Sequence, residues 1–196
     1  ATRAESTSGN HRPPQRGKQP KFPFRSCKTS KVNYLTAMPS KATSQSTSES
    51  TSEVPIALTV AGSDCSGGAG IQADLKTFQH FNVHGLSAIT SIVAETPLEV
   101  RQMDPVEISL LQDQLNILHE SYPINAIKIG LLPSRMSIIA LVEIFKDSHI
   151  PIVVDPVMIA STGASLIGEE TIDVLTSRLL PIATLVTPNI PEASSM

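Results

Sequence analysis

From Val54 onward, strand-length apolar runs alternate with helix-length amphipathic segments, and this alternation limits the chain to a small group of folds. The predicted strands cover residues 56–61, 86–94, 126–130, 152–155 and 183–187, and the predicted helices cover residues 69–81, 105–120, 134–147 and 169–180. Near-continuous apolar strands joined by helical crossovers are typical of a parallel sheet that is covered on both faces. We therefore predict an α/β fold for residues 54–196.

Residues 1–53 differ in composition and are predicted to lie outside that fold. They carry nine Lys and Arg residues against three Asp and Glu residues, and nine of the fourteen residues 40–53 are Ser or Thr. Such a segment cannot bury enough apolar surface to offset the entropy of ordering it, so we predict that it is disordered. Its basic, Ser-rich character also resembles a transit peptide, and a translation start at Met38 is an alternative.

The composition argues against several classes of protein. The longest apolar runs are strand-sized and fall well short of the roughly 20 residues that a membrane-spanning helix needs. Residues 54–196 carry six basic side chains against fifteen acidic ones, and residues 12–31 contain only two aromatics, so nucleic-acid binding is not expected. We expect a cytoplasmic protein, or a plastid or other organellar protein if residues 1–53 are a transit peptide.

The first predicted strand runs into a glycine-rich segment, from Gly62 to Gly70, which is a candidate binding loop. Its four glycines let backbone N–H groups approach a ligand, and the following helix presents its N-terminus. The loop therefore suits an anion or a small polar ligand, or it forms only a tight turn. A P-loop is excluded, because that motif needs Lys and then Ser or Thr directly after its last glycine, and this loop has Gly68 and Ala69 instead.

A dinucleotide-binding fingerprint is an alternative for the same loop. The segment from Gly68 to Ala73 fits the G-x-G-x-x-G/A pattern, and Glu95 ends the second predicted strand, where an acid that binds a ribose would lie. The first glycine of such a fingerprint normally follows its strand within a residue or two, whereas Gly68 follows a longer loop. A dinucleotide-binding oxidoreductase stays open at this stage.

Polar side chains also follow the fourth and fifth predicted strands. Asp155 ends the fourth strand, and Asn189 and Glu192 lie three residues apart just beyond the fifth. In open α/β sheets, ligands bind beyond the carboxyl ends of the strands, so a site is expected at these positions. Their oxygens suit Mg²⁺ held partly through water, and Asn189 with Glu192 equally suits a helix cap.

Four segments in order carry a resemblance to a known family: VAGSDCSGGAGIQADLKTF (60–78), KIGLL (128–132), VVDPVM (153–158) and TPNIPEA (187–193). Together they resemble the hydroxymethylpyrimidine and hydroxymethylpyrimidine-phosphate kinases of thiamine biosynthesis, in the ribokinase superfamily. The resemblance implies a mostly parallel sheet flanked by helices. It also implies that ATP and Mg²⁺ serve to phosphorylate 4-amino-5-hydroxymethyl-2-methylpyrimidine and then its monophosphate, and that the protein forms a homodimer. A pyridoxal-type vitamin kinase is the nearest alternative.

The resemblance also implies roles for individual residues. The residues similar to the family's pyrimidine pocket, with polar contacts from Asp74 and from the end of the second strand at Glu95, are Gly62, Ala69, Asp74, Val93, Leu131 and Val157. The residues expected to face the ATP phosphates are Asn189 and Glu192, and those expected to face Mg²⁺ are Asp155 and Glu192.

Glu95 departs from the family pattern. The family often has Gln here, in the sequence V-A-Q-N-T, where this chain has Val93-Ala94-Glu95-Thr96. The Gln amide can donate to a ring nitrogen and accept from the amino group, whereas ionised Glu can only accept. We therefore expect Glu95 either to be protonated or to bind the protonated aminopyrimidine.

The family's anion-hole loop, of the G-T-G-C type, and its catalytic residue are expected after Met196. Preorganised donors of this kind lower the barrier to phosphoryl transfer, so the chain by itself is expected to be inactive. A non-catalytic protein that keeps the pyrimidine pocket is a further alternative.

Overall fold

The computed structural model describes residues 54–159 and 166–196 of the 196-residue chain. The predicted disorder of residues 1–53 lies outside the described residues. The strands are β1 (Ile56–Asp64), β2 (His84–Thr96), β3 (Glu99–Pro105), β4 (Ala126–Ile129), β5 (Ile152–Val154) and β6 (Leu185–Val186), and the helices are α1 (Gly70–His80), α2 (Ile108–Ser121), α3 (Arg135–Phe145), α4 (Glu169–Val174) and α5 (Ile190–Ser195). Within these two ranges, no helix is both long enough and apolar enough to cross a bilayer.

The strands form one sheet in the order β3-β2-β1-β4-β5-β6. β1 pairs in parallel with both β2 and β4, and the pairs β4 with β5 and β5 with β6 are also parallel. Only β2 with β3 is antiparallel among the described strand pairs. The prediction of an α/β fold with a mostly parallel sheet flanked by helices is therefore confirmed.

β1 lies in the interior of this sheet because of its composition. Seven of its nine residues are buried, and a strand that is apolar on both faces cannot be solvated on either. Its side chains share one core with those of β4, β5, α2 and α3. Fully buried members of this core are Leu58, Val60, Leu111, Leu115, Ile127, Ile129, Ile138, Leu141, Phe145 and Val154.

β3 is a strand that the apolar pattern does not predict, so the prediction of five strands is one short. Most of its residues are exposed, and only Val100 and Met103 are half-buried. An antiparallel edge strand needs no continuous apolar run, since its side chains reach water. Pro105 ends β3 instead of starting a helix, and α2 begins at Ile108.

The fourth helix also departs from its predicted range, residues 169–180. Its α-helical part ends at Val174 and is followed by a π-helical turn, Leu175–Leu179, and a 3-10 turn, Leu180–Ile182. Pro181 accounts for the change at the end of the helix. A proline cannot donate a backbone hydrogen bond, and its ring crowds the carbonyl four residues earlier in an α-helix.

Gly70, the first residue of α1, has a backbone conformation that a side chain would strain. Its φ is +57°, and a Cβ atom there would collide with the carbonyl oxygen of Gly62. This close approach brings the loop after β1 back over the end of its own strand.

We expect Gly70→Ala to lower the free energy of unfolding by at least about 2 kcal/mol, because left-handed strain is added to a backbone clash. Gly168→Ala is the matched control, since a Cβ there meets none of the described atoms within 4 Å and the φ is −87°. The control should lose less than about 1 kcal/mol. Urea denaturation followed by circular dichroism measures both variants, and equal losses would contradict this account of Gly70.

Candidate active site

The order of the strands reverses between β1 and β4. From β1 the chain passes through α1 to β2 on one side, whereas β4 and β5 lie on the other side of β1. In open α/β sheets, ligands bind beyond the carboxyl ends of the strands at the place where the order reverses. The segments at this place are the glycine loop after β1 and residues 130–132 after β4.

Asp64, the last residue of β1, organises the glycine loop. Its Oδ1 accepts the Ser66 N–H at 2.7 Å, and its Oδ2 accepts the N–H groups of Gly68 and Ala69 at 2.9 and 2.8 Å. Asp64 is 4% exposed, so these donors replace water around a buried carboxylate. The expectation that the loop amides face an external anion is wrong for these three amides, because they donate to the chain's own carboxylate.

The same contacts argue against the dinucleotide-binding alternative. Pyrophosphate would need free N–H groups at the start of α1, where Gly68 and Ala69 donate to Asp64 instead. The buried carboxylate would also repel pyrophosphate. The strand order matches that of a dinucleotide-binding fold, but β3 runs antiparallel to β2, whereas that fold joins parallel strands through helices.

Three of the residues predicted to line a pyrimidine pocket meet beside the end of β1. A Cβ atom at Gly62 would lie 3.4 Å from Leu131 Cδ2 and 3.7 Å from Val93 Cγ2. Both Val93 and Leu131 are buried, and the Leu131 carbonyl accepts a hydrogen bond from the Thr90 hydroxyl at 2.6 Å. The structure thus brings together one predicted residue from β1, one from β2 and one from the segment after β4.

Ser91 belongs to the same group, although no motif singles it out. Its Oγ would lie 2.8 Å from a Cβ atom at Gly62, and in the part of the chain that the structure describes it is the buried side-chain polar atom without a hydrogen-bond partner. The pleat of β2 is the signal that could have found it. Side chains two residues apart share a face, so Ser91 lies on the face of Val93.

The other three predicted pocket residues lie on separate segments. Ala69 directly precedes α1, and its N–H is used within the glycine loop. Asp74 lies one turn into α1, where its Oδ2 accepts a hydrogen bond from the buried Thr59 hydroxyl at 2.6 Å. Val157 follows β5, which is two strands from β1, and packs half-buried against the core.

Lys128, in β4, joins two of the predicted site residues, and the sequence alone leaves it open between a structural role and the neutralisation of phosphate. Its Nζ lies 3.2 Å from Asp74 Oδ2 and 3.8 Å from Asp155 Oδ2. Lys128 pairs directly with Thr59 of β1, so two neighbouring strand residues hold the same Asp74 oxygen. Charged side chains are rarely buried without a partner. The single charge in the short apolar strand AIKI was therefore the signal that could have identified Lys128 as a site residue.

Asp155 lies just after β5, and its N–H donates to the Ile129 carbonyl at 2.8 Å. Burial raises the pKa of the Asp155 carboxyl, the Lys128 ammonium lowers it, and the carboxylates of Glu192 and Asp74 raise it again, so the net direction is upward. Its ionised form is therefore one that an additional cation would stabilise.

Asn189 and Glu192 form the helix cap that their spacing allows. Asn189 Oδ1 accepts the Glu192 N–H, and Glu192 Oε2 accepts the Asn189 N–H, both at 2.9 Å. Across residues 54–159 and 166–196, no group of three or more His, Cys, Asp or Glu side chains is arranged to hold a metal ion. Binding of Mg²⁺ by Asp155 and Glu192 stays a prediction.

Glu95, near the end of β2, is held to the glycine loop through Cys65. The Cys65 Sγ accepts the Glu95 N–H at 3.4 Å and donates to the Glu95 carbonyl at 3.3 Å. Burial, and to a lesser extent the charge of Asp64, raises the pKa of the Glu95 carboxyl. This direction agrees with the expectation that Glu95 is protonated or paired with a cation.

Asp64→Asn tests how far the glycine loop depends on its carboxylate. Burial would raise the pKa of Asp64, but hydrogen bonds from Ser66, Ala69 and Gly68 outweigh burial and hold the pKa below its ordinary value. The unfolded chain therefore binds the proton more readily, and Asp64 contributes stability that is present above its ordinary pKa and is lost as pH falls through the folded value. We expect Asp64→Asn to lower the free energy of unfolding at neutral pH by about 1–3 kcal/mol and to flatten its decline in acid.

Denaturant titrations from about pH 2 to pH 7 measure this effect. Asp104→Asn is the matched control, because Asp104 is exposed and accepts a hydrogen bond from the Gln102 side chain. An acid profile that Asp64→Asn leaves unchanged would show that the loop does not depend on the charge.

Comparison with known proteins identifies a family whose model matches this sequence. A family model described as phosphomethylpyrimidine kinase matches residues 64–196. A curated hydroxymethylpyrimidine/phosphomethylpyrimidine kinase from Haemophilus influenzae is 44% identical over 140 residues, which cover 71% of this chain and 52% of that protein. The chain spans about half the length of the curated bacterial kinases of this name that it matches.

Two solved structures extend the comparison to the fold. Phosphomethylpyrimidine kinase from Clostridium difficile is similar with a TM-score of 0.67 and 42% identity, covering 71% of this chain and 61% of that chain. Pyridoxal kinase from Staphylococcus aureus, in complex with AMP-PCP and pyridoxal, is similar with a TM-score of 0.64 and 36% identity, covering 72% of this chain and 51% of that chain. Because the family model covers most of the chain, including the glycine loop from Asp64 onward and both later strand ends, the chain belongs to the phosphomethylpyrimidine kinase family.

Proposed function

We propose that the protein uses ATP and Mg²⁺ to phosphorylate the hydroxymethyl oxygen of 4-amino-5-hydroxymethyl-2-methylpyrimidine, and then to phosphorylate the monophosphate. The observation that carries the proposal is the ion-paired series Asp74, Lys128 and Asp155, which links a predicted pyrimidine contact with a predicted Mg²⁺ contact where the strand order reverses. Family membership supports the reaction class. Because the chain spans about half the length of its curated relatives, the activity is proposed for the protein as a whole.

The proposed pyrimidine site combines an apolar group with fixed polar contacts. Gly62, Val93 and Leu131 would contact the ring, and Asp74 and Glu95 would contact its nitrogens. Two donors already hold Asp74 Oδ2, so its carboxylate does not need to be ordered when the ring binds. The residues of this chain would thus orient the hydroxymethyl oxygen and exclude water from one side of it.

The donor set fits Mg²⁺ that is bound largely through ATP. In phosphoryl-transfer sites, Mg²⁺ takes one or two carboxylates and fills its other positions with water and phosphate oxygens. Asp155 and Glu192 supply that number, and Asn189 would lie toward the phosphates. When bound, Mg²⁺ with ATP would supply the phosphoryl group and neutralise its charge.

Calorimetric titration of the chain with the pyrimidine, with pyridoxal and with NAD tests the choice of ligand. We expect the pyrimidine to bind more tightly than pyridoxal, and NAD to give no binding heat, because the amides that pyrophosphate would need are used by Asp64. Tighter binding of pyridoxal would favour a vitamin kinase of the pyridoxal type, and binding of NAD alone would restore the oxidoreductase alternative.

Asp155→Asn tests phosphoryl transfer. In the full-length enzyme we expect kcat to fall by at least about 100-fold, because the variant removes a carboxylate proposed to hold Mg²⁺, while the pyrimidine Kd changes by less than about threefold. Release of ADP and phosphorus NMR of the product measure the reaction. Asp147→Asn, at an exposed position just after α3, is the control. Pyrimidine binding without any turnover would support the non-catalytic alternative.

Pyrimidine affinity should fall as pH rises above neutrality. Loss of the proton from Glu95, or from the bound ring, removes the donor that their contact requires, and the raised pKa of Glu95 extends the range in which its carboxyl stays protonated. Glu95→Gln should flatten the dependence, because the amide donates and accepts at every pH. Calorimetry from about pH 5 to pH 9 measures the effect. A pH-independent affinity in the unsubstituted chain would refute this role of Glu95.

Location and assembly are further parts of the proposal. We propose a cytoplasmic enzyme, or an organellar one if residues 1–53 act as a transit peptide, that associates as a homodimer and acts on small molecules. Imaging of a fluorescent fusion and light scattering test these two points.

A further inference from the structure

Lys128 Nζ lies between two carboxylates that the proposed function assigns to different ligands. It is 3.2 Å from Asp74 Oδ2 on the pyrimidine side and 3.8 Å from Asp155 Oδ2 on the Mg²⁺ side. A phosphate on the hydroxymethyl oxygen has to lie between the ring and ATP, because it accepts the next phosphoryl group. If the ring lies beside Asp74 and Mg²⁺ beside Asp155, as the proposed function assigns them, Lys128 lies where the phosphate of the second substrate would be.

The Lys128 ammonium can accommodate a third partner. It has three N–H donors, and the two carboxylates account for two directions. Its side chain is 24% exposed, so a ligand can reach it. Nζ would lie 3.0 Å from a Cβ atom at Gly130, so the absence of a side chain at this glycine leaves space for the ammonium over the end of β4.

The charges around the site explain why an anionic substrate needs this cation. The carboxylates of Asp74 and Glu192 both act through their charge on the Asp155 carboxyl. A phosphate dianion that enters beside three carboxylates is repelled, whereas the unphosphorylated pyrimidine carries no such charge. Among the ion pairs of the described residues, Lys128 supplies those of Asp74 and Asp155.

We propose that the Lys128 ammonium binds the phosphate of the monophosphorylated pyrimidine, and so distinguishes the substrate of the second phosphorylation from that of the first. The inference rests on the proposed function, since it places the ring beside Asp74. Thr59 makes the inference testable. Its hydroxyl donates to the same Asp74 oxygen at 2.6 Å and holds that carboxylate when Lys128 is changed.

The experiment measures, by calorimetry on the full chain, the Kd of the hydroxymethylpyrimidine and of its monophosphate. Lys128→Met keeps the length of the side chain and removes its charge, Lys128→Arg keeps a charge, and Thr59→Val removes the other partner of Asp74. We expect Lys128→Met to weaken the monophosphate by at least about tenfold and the unphosphorylated ligand by less than about threefold. Lys128→Arg should restore most of the monophosphate affinity, and Thr59→Val should weaken both ligands by a similar factor.

Each outcome of the titrations supports or overturns the proposed role of Lys128. Equal weakening of both ligands by Lys128→Met would overturn the proposal and leave Lys128 as a positioning residue for Asp74, and unchanged monophosphate affinity would overturn it as well. If the unsubstituted chain does not bind the unphosphorylated pyrimidine, the proposed function itself fails, and this result is distinct from the other two. Lys128→Gln serves as the second uncharged variant if thermal unfolding shows that Lys128→Met does not fold.

Discussion

The buried carboxylate of Asp64, at the end of β1, determines the conformation of the loop that follows it. Asp64 is nearly excluded from water, so the residues that follow have to supply its hydrogen-bond donors, and Ser66, Gly68 and Ala69 do so through their backbone. The tightness of that turn determines where α1 begins, and hence that Asp74 lies one helical turn later, above Thr59 of β1. A glycine-rich loop is therefore needed here to surround an internal charge, which is a different task from surrounding a phosphate.

This arrangement separates the negative charge of Asp64 from the positive charge of Lys128. The glycine loop carries its own negative charge and satisfies it locally. The Lys128 ammonium belongs to β4, the neighbour of β1, and lies 3.8 Å from the Asp155 carboxylate. Next to β4 in the sheet come β5 and β6, which precede Asp155 and Glu192 in the chain. The proposed apolar contact with a ring and the proposed electrostatic contact with phosphates would thus fall on neighbouring strands of one sheet, with Lys128 between them.

The parts of the structure that sequence could predict are those that depend on local pattern. The interior strands and their helices follow from apolar periodicity, and Asp155, Asn189 and Glu192 follow from their places after strands. β3 does not, because an exposed edge strand has no apolar run to mark it. Ser91 was missed, and the role of Lys128 stayed open, for another reason. Their importance comes from the neighbours that pairing brings to them, Thr59 and Asp74 for Lys128 and Gly62 for Ser91, and those neighbours lie far away in sequence. The expectation for three amides of the glycine loop was wrong because their internal acceptor, Asp64, is not evident from the glycine pattern.

The strand residues of the site and its loop residues are held with different strength. Lys128 and Thr59 belong to paired strands in the interior of the sheet, whereas the exposed Cys65 reaches the backbone of Glu95 through two long contacts to sulfur. Weakly held loops open at a far lower cost in free energy than the strands of a core. The contact between Cys65 and Glu95 is therefore the part of the proposed pyrimidine site that opens most easily, while the Lys128 ammonium keeps its place in β4. Exchange of a ring bound as proposed would then depend on the Cys65 contact, whereas the position of the Lys128 charge would be fixed by the paired strands.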